Sequence, residues 1–198
     1  MGMDKLNYPG HWPFMLIASY NPPLVLISIL VAVLAAYTSL DIAGRIASAR
    51  GRAYAVWMCG GAMSMGVGIW SMHFIGMLAF DLPIEVAFDL PITFLSLVIA
   101  ILSSGLALWL VSQPRLPGLQ LSLGAIFMGA GISAMHYTGM ASLRMYPSIS
   151  YDTLTVLASW AIAIAASAAA LWIAFRLREQ TPHVYLARGG AGGRQAQS

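Results

Sequence analysis

The sequence predicts an all-α protein, a polytopic bundle of about five transmembrane helices. The first observation is composition: 59% of the residues are hydrophobic and only 9% are charged, whereas a water-soluble domain carries about 25% charged residues. The second is length, because several uncharged stretches reach the roughly 20 residues that cross a bilayer core of about 30 Å. The third is an internal repeat. The net charge of +3 is therefore attributed to membrane topology, and no nucleic-acid partner is expected.

The elements follow from the apolar segments and the polar signals between them. Residues 1–20 mix aromatic residues with prolines and are predicted to form an interfacial lead-in. Residues 21–180 are predicted to form the membrane domain. The polar stretch 181–198 is predicted to be a disordered cytoplasmic tail. The five predicted helices cover about 22–43, 53–79, 91–111, 119–140 and 153–175.

The basic residues collect at one end of this predicted bundle, and basic residues favour the cytoplasmic side. The N-terminus is therefore expected outside and the C-terminus inside. On helix one, Asp41 and Arg45 are spaced to pair at i and i+4. Cys59 lies within an apolar segment and is expected to be a small buried side chain. The predicted inner end carries Arg45, Arg50, Arg52, Arg115, Arg176, Arg178, Arg188 and Arg194, against Lys5 and Arg144 at the other end.

The chain repeats itself at a constant spacing, the one that separates Gly61 from Gly124. The stretch Gly61–Ile69 realigns on Gly124–Ile132, and the segments that open helices one, three and five resemble one another. This predicts tandem two-helix units, with three helices of the odd-numbered type and two of the even-numbered type. A third even helix would begin near Ala187, where the sequence is rich in glycine, so the third repeat is expected to be incomplete.

Each even helix ends with the same six-residue frame, Met72–Met77 in the first copy and Met135–Met140 in the second. At 100° per residue, Gly66, His73 and Met77 share one face of helix two, and the second copy repeats this arrangement on helix four. The glycine permits close approach of a neighbouring helix. The two frames are therefore predicted to face one site at the outer end of the bundle.

Imidazole nitrogen and thioether sulfur are neutral ligands. Soft sulfur favours Cu(I), and imidazole also suits Cu(II), zinc and haem iron. Neither frame contains a carboxylate, so Mg²⁺ and Ca²⁺ are not expected. A histidine within a membrane helix is by default a functional candidate, although a hydrogen bond to a neighbouring helix is the alternative for each. The predicted metal ligands are His73, His136, Met77, Met140, Met72 and Met135. Additional candidates are His11 from the lead-in and the deeper pair Met65 and Met128.

Two other functions stay open at this stage. His73 and His136 could be the axial ligands of a haem in an electron-transfer protein, or the repeat could form a pathway for metal ions. The sequence contains no nucleophile and base pair, phosphate-binding loop or paired carboxylates, so an enzyme is not expected.

The string Met135–Met140, with its second copy Met72–Met77, resembles the MHYT family of bacterial integral-membrane sensor domains. The resemblance covers roughly residues 20–185. It implies a multi-pass protein of the bacterial inner membrane that senses oxygen, carbon monoxide or nitric oxide through copper held by the histidines and methionines. It also implies a cytoplasmic signalling partner, since family members are often joined to cyclic di-GMP enzymes or histidine kinases. The chain departs from the family in lacking a third motif-bearing helix and an output domain, so a homo-oligomer that completes the site is a further expectation.

Overall fold

The computed structural model describes residues 19–81, 87–113, 118–144 and 152–192. Within these ranges the chain forms one bundle of five helices, and each is long and apolar enough to cross a membrane. The predicted fold class, an all-α transmembrane bundle, is therefore confirmed. The helices are α1 (Pro22–Ser48), α2 (Arg52–Leu78), α3 (Leu90–Ser112), α4 (Gly118–Ala141) and α5 (Thr153–Gly192).

The odd helices begin in the same way, as the repeat predicted. The side chains of Asn21, Asp89 and Asp152 each accept a hydrogen bond from the backbone N–H three residues further on, at 3.3, 3.2 and 2.9 Å. A side-chain oxygen in this position satisfies one of the N–H groups that the first helical turn leaves without a partner. Helices α1 and α3 also have proline in the first turn, where the missing N–H costs little.

Two short antiparallel ribbons, each of two strands, lie at the same end of the bundle. They occur in segments that were predicted to be the lead-in and loops. Strand β1 (Ser19–Tyr20) pairs antiparallel with β2 (Phe80–Asp81), and β3 (Ala87–Phe88) pairs in the same way with β4 (Leu143–Arg144). Each ribbon pairs the segment just before an odd helix with the segment just after an even helix. This end, which also carries both histidine frames, is called the motif end below.

Each even helix packs on the next odd helix through a glycine. A Cβ added to Gly66 would lie 2.6 Å from the Cα of Ile101, and one added to Gly129 would lie 2.7 Å from the Cα of Ile164. Both members of the second pair stand one repeat period after those of the first. The two repeats therefore share one packing geometry, with α3 between α2 and α4.

The hydrophobic core lies towards the end opposite the motif end. Its buried members include Ile46 of α1, Leu108 of α3, Ala125 of α4 and Leu171 of α5. Near the same end, the Arg45 side chain meets the Asp41 carboxylate at 2.8 Å, so the predicted i,i+4 pair is confirmed.

Two features differ from the expectations. Helix α5 does not end near Phe175 but continues to Gly192, so residues 181–192 extend this helix where a disordered tail was predicted. Its membrane-length part ends at Ala174, and the residues that follow include Arg, Leu, Glu and Gln, all good helix formers. Cys59 is exposed rather than buried, because it lies on the outward face of α2.

Candidate metal centre

The two histidines lie side by side at the motif end. The ring centroids of His73 and His136 are 5.0 Å apart, and the ring planes meet at 68°. Helices α2 and α4 otherwise contact each other little, because α3 separates them. The repeat therefore brings the two predicted imidazoles together as one of the few direct contacts between the even helices.

One nitrogen of this pair, Nε2 of His73, is buried and has no hydrogen-bond partner among the described residues. Gly139 faces it, and a Cβ on that glycine would stand 3.1 Å from the nitrogen. An unsatisfied buried nitrogen costs about 1–3 kcal/mol, so a ligand for Nε2 would remove a real penalty. A larger residue in place of Gly139 would crowd that nitrogen, so the glycine permits the close approach of α4 to the His73 ring.

Aromatic rings cover the His73 side of the pair. Phe74 lies edge-on to His73 at 5.6 Å between centroids and contacts Trp70 at 4.6 Å and Phe88 at 5.7 Å. The indole N–H of Trp70 donates to the hydroxyl of Ser96 at 3.0 Å. These contacts hold the end of α2 against α3 and limit access of water to the His73 ring.

The His136 side is held by a contact between α4 and α5. The Tyr137 ring lies edge-on to His136 at 5.1 Å, and its hydroxyl lies 2.6 Å from that of Ser159. Ser159 occupies the same position in the second repeat as Ser96 does in the first. This contact was not predicted from the sequence, although the repeat spacing of the two serines was a usable signal.

The predicted methionine ligands of the two frames differ in how deeply they are buried. Met135 is almost fully buried, with 4% of its surface exposed. Met72, Met77 and Met140 are half-buried on the last turns of their helices, and the Met72 carbonyl accepts a hydrogen bond from the Ser28 hydroxyl at 2.9 Å.

The remaining candidates lie apart from the histidine pair. Met65 and Met128 are half-buried and pack against the core cluster, slightly more than two turns deeper than the histidines. His11 lies outside the described residues. In the described part of the chain, no cluster of three or more His, Cys, Asp or Glu side chains occurs. Besides the two imidazoles, the frames carry the thioethers of their methionines, and the second frame also carries the hydroxyls of Tyr137 and Thr138.

This bundle with a repeated His and Met frame belongs to the MHYT family. The family model described as a bacterial signalling protein N-terminal repeat matches residues 66–124 and 129–187. The starts of the two matches are separated by the same spacing as Gly61 and Gly124, so the family repeat and the period read from the sequence agree. The chain is a multi-pass protein of the bacterial inner membrane and a signalling sensor module.

Its relatives are larger signalling proteins. The chain is 58% identical over 177 residues to the bifunctional diguanylate cyclase/cyclic di-GMP phosphodiesterase MucR of Pseudomonas aeruginosa, a match that covers 89% of this chain and 26% of that protein. It is 43% identical to the cyclic di-GMP phosphodiesterase NbdA of the same species, over 77% of this chain and 19% of NbdA. It is 33% identical to the signaling protein YkoW of Bacillus subtilis, over 86% of this chain and 22% of YkoW.

The chain thus spans about a quarter or less of these relatives. What it shares with them is the MHYT region, and no catalytic domain is evident within it. No solved structure matches the chain.

Proposed function

We propose that this membrane module binds copper between His73 and His136 and senses either a diatomic gas (oxygen, carbon monoxide or nitric oxide) or the metal itself. The observation that supports this most directly is the pair of adjacent imidazole rings, one of which has a buried nitrogen without a protein partner in the described part of the chain. Thioethers of Met77, Met140 and Met135 are the nearest further donors in sequence, with Met72 beside them.

The spacing of the rings suits a single ion. Imidazole nitrogens bind such metals at about 2 Å, which places the centroids of two rings on one ion roughly 5–6 Å apart. The observed separation is 5.0 Å. Imidazole together with soft thioether sulfur favours copper, and Cu(I) in particular. Bound there, the metal would supply an open coordination position for a small ligand.

The two rival functions are less well supported by the same geometry. A haem held by both histidines would need its macrocycle between two rings that already touch edge to face. A transport pathway would have to pass the packed apolar cluster around Ile46, Leu108 and Leu171 at the other end of the bundle. Both considerations favour a bare ion that is bound and retained at the motif end.

A signal could leave this site through helix packing. Helices α2 and α4 contact each other little except near the histidines, so an ion coordinated by His73 and His136 would link two otherwise separate helices. A gas that replaces one protein ligand would weaken this link. The change shifts populations only if the two helix arrangements differ in ligand affinity. We expect the opposite end, with its basic residues, to face the cytoplasm, where a signalling partner would receive the change.

The test is metal analysis of the purified chain and of its His73→Ala and His136→Ala variants. We expect about one copper per chain in the parent and a loss of at least tenfold in affinity in each variant, since removal of one of few ligands is costly. The control is His183→Ala, which alters a histidine far along α5 and is expected to retain copper. Equal copper content in all four proteins would overturn the proposal, and an intense haem absorbance in the parent would favour the haem alternative.

Gas binding needs a separate measurement. Carbon monoxide added to the Cu(I)-loaded protein is expected to give an infrared stretching band that moves on isotopic substitution of the gas. The His136→Ala variant is expected to lack this band. A copper-loaded protein that shows no band with carbon monoxide, and no spectral response to oxygen or nitric oxide, would restrict the signal to the metal.

A further inference from the structure

An apolar groove with a volume of about 400 Å³ runs between α1 and α5. Residues of α2, α3 and α4 lie behind it, and the side chains that line it are apolar except for that of Ser39. Of the three odd helices, α1 and α5 contact each other least, whereas α3 contacts both of them. We call this feature the α1/α5 groove.

The odd helices correspond residue by residue when they are aligned on their N-caps, Asn21, Asp89 and Asp152. A serine follows each cap at the same distance, and by the same count two further sets of residues correspond. In the order α1, α3 and α5 these sets are Ser28, Ser96 and Ser159, then Leu40, Leu108 and Leu171, then Ile42, Leu110 and Ile173. The surroundings of one odd helix can therefore be compared with those of the next.

Each even helix places a glycine between members of the last two sets. A Cβ added to Gly61 of α2 would lie 2.6 Å from the Ile42 side chain of α1 and 3.0 Å from the Leu108 side chain of α3. A Cβ added to Gly124 of α4 would meet the corresponding residues of α3 and α5, at 2.7 and 3.5 Å. Two neighbouring odd helices thus form a docking site in which one even helix lies, and the bundle repeats this arrangement.

The third pair of this series borders the α1/α5 groove. Ile173 of α5 and Leu40 of α1 both line it, and they are 49% and 46% exposed. Their four counterparts under α2 and α4 are between 1% and 8% exposed. The groove is also continuous with the two occupied docking sites, because Leu108 and Leu171 contribute to its lining.

We propose that the α1/α5 groove is the docking site of one further transmembrane helix of the even-numbered type, supplied by a partner chain. This helix is apolar and carries glycine at the positions of Gly61 and Gly66. Small residues at such crossings let helices approach closely in a membrane, where packing drives their association. An acyl chain fits an apolar groove of any shape, whereas the match of both walls to two occupied sites specifies a helix.

The second glycine of the partner helix has its own place on α1. Gly66 and Gly129 rest on the backbone of Ile101 and Ile164, and the residue of α1 at that distance from the cap is Val33. Val33 is 59% exposed, so its side of α1 is free to receive a helix. The proposal concerns packing alone and stands whether or not copper binds at the motif end.

Disulfide cross-linking to a peptide tests the groove directly. The probe is a synthetic peptide with the sequence of α4 and the change Gly124→Cys, inserted into lipid nanodiscs that hold the full chain. The chain carries Cys59→Ser with either Leu40→Cys or Ile173→Cys. A disulfide requires Cα atoms about 4.4–6.8 Å apart, so we expect a cross-link at both positions. Leu34→Cys is the control, because Leu34 is 65% exposed on α1 and does not line the groove; its yield should be severalfold lower.

A second change in the peptide tests whether the glycine decides the fit. Gly129→Leu would collide with the α1 backbone at Val33 and is expected to lower the cross-link at Leu40→Cys severalfold. Phe127→Leu, at a residue that is 63% exposed in α4, is expected to change it little.

Three results would overturn the proposal. Equal yields at Leu40→Cys and Leu34→Cys would show random collision, and no peptide cross-link at either groove position would show that lipid alone fills the groove. Chain-to-chain disulfides at Leu40→Cys that the peptide does not displace would assign the groove to a second copy of the chain. Both target residues are exposed, and the Ile173→Cys variant keeps the test decisive if Leu40→Cys does not fold.

Discussion

The sharpest consequence of the repeat packing concerns Gly66, where α2 rests on the backbone of α3. A Cβ at this position would lie 2.6 Å from the Cα of Ile101 and 2.8 Å from its backbone nitrogen. Favourable contacts between carbon atoms lie at about 3.5–4.0 Å. The Gly66→Ala variant therefore requires α2 and α3 to separate locally by roughly 1 Å, since backbone atoms cannot turn away as the end of a flexible side chain could.

The cost follows from this displacement. Inserting a methyl group into a packed contact costs about 1–3 kcal/mol, while replacing glycine by alanine within a helix gains up to about 1 kcal/mol. Gly60 supplies the matched control, because it lies on the same helix and an added Cβ meets no atom within 4 Å. Gly60→Ala should therefore gain stability from the higher helix propensity of alanine without the cost of a displaced helix contact. The difference in stability between the two variants isolates the packing cost, about 1–3 kcal/mol.

Reversible unfolding in mixed micelles, followed by tryptophan fluorescence, measures this difference. We expect Gly66→Ala to unfold at lower denaturant than the parent, and Gly60→Ala to match or exceed the parent. His73 lies two turns beyond Gly66 on the same face, so the first variant should also bind copper more weakly. Equal unfolding midpoints for Gly66→Ala and Gly60→Ala would refute the proposed close contact of α2 with α3.

Two further predictions concern the motif end. The pKa of Asp89 is held below its ordinary value, first by the hydrogen bond from the Arg144 guanidinium and then by a backbone N–H. The ionised carboxylate therefore contributes to the stability of the fold above about pH 4. This contribution is lost as the pH falls through the lowered pKa. In Arg144→Gln we expect the Asp89 pKa to rise towards its ordinary value in a carbon-13 NMR titration, and an unchanged titration would contradict the role of the ion pair. Tyr137→Phe removes the hydroxyl that meets Ser159 at 2.6 Å and is expected to cost about 1 kcal/mol in the same unfolding assay. Tyr37→Phe, at a residue 76% exposed, should be nearly neutral, and equal effects of the two variants would show that the contact contributes nothing measurable.

Much of the fold could be predicted because hydropathy and the repeat act over long stretches. Five membrane-length helices, their approximate ends except the end of α5, and the shared face of glycine and histidine all follow from composition and spacing. The pairing of Asp41 with Arg45 follows from local helical geometry alone. The convergence of His73 and His136 was also predictable, because parallel copies of one helix that flank the same neighbour must direct equivalent faces towards it.

Other features depend on contacts that a single sequence does not reveal. The ribbons consist of strands of two residues each, which are too short for an alternating pattern. The bond between Tyr137 and Ser159 joins side chains 22 residues apart, and its only signal was that Ser159 repeats Ser96. Cys59 was expected to be buried because apolar residues surround it in sequence. In a membrane protein, however, an apolar neighbourhood does not tell the lipid face from the core.

The repeat also explains why a symmetric site can act between helices that barely touch. A single frame would place one histidine against α3, where it could at most be satisfied by a hydrogen bond. Two parallel frames on either side of α3 place both imidazoles at one height, so any ion they share spans α2 and α4. An ion bound there, as proposed, would join the even helices through a bound species rather than through side-chain packing. A change in the proposed ion or its ligands would then alter the spacing of α2 and α4 at the motif end without disturbing the apolar core around Leu108 and Leu171, so the bundle would stay folded while the motif end moves.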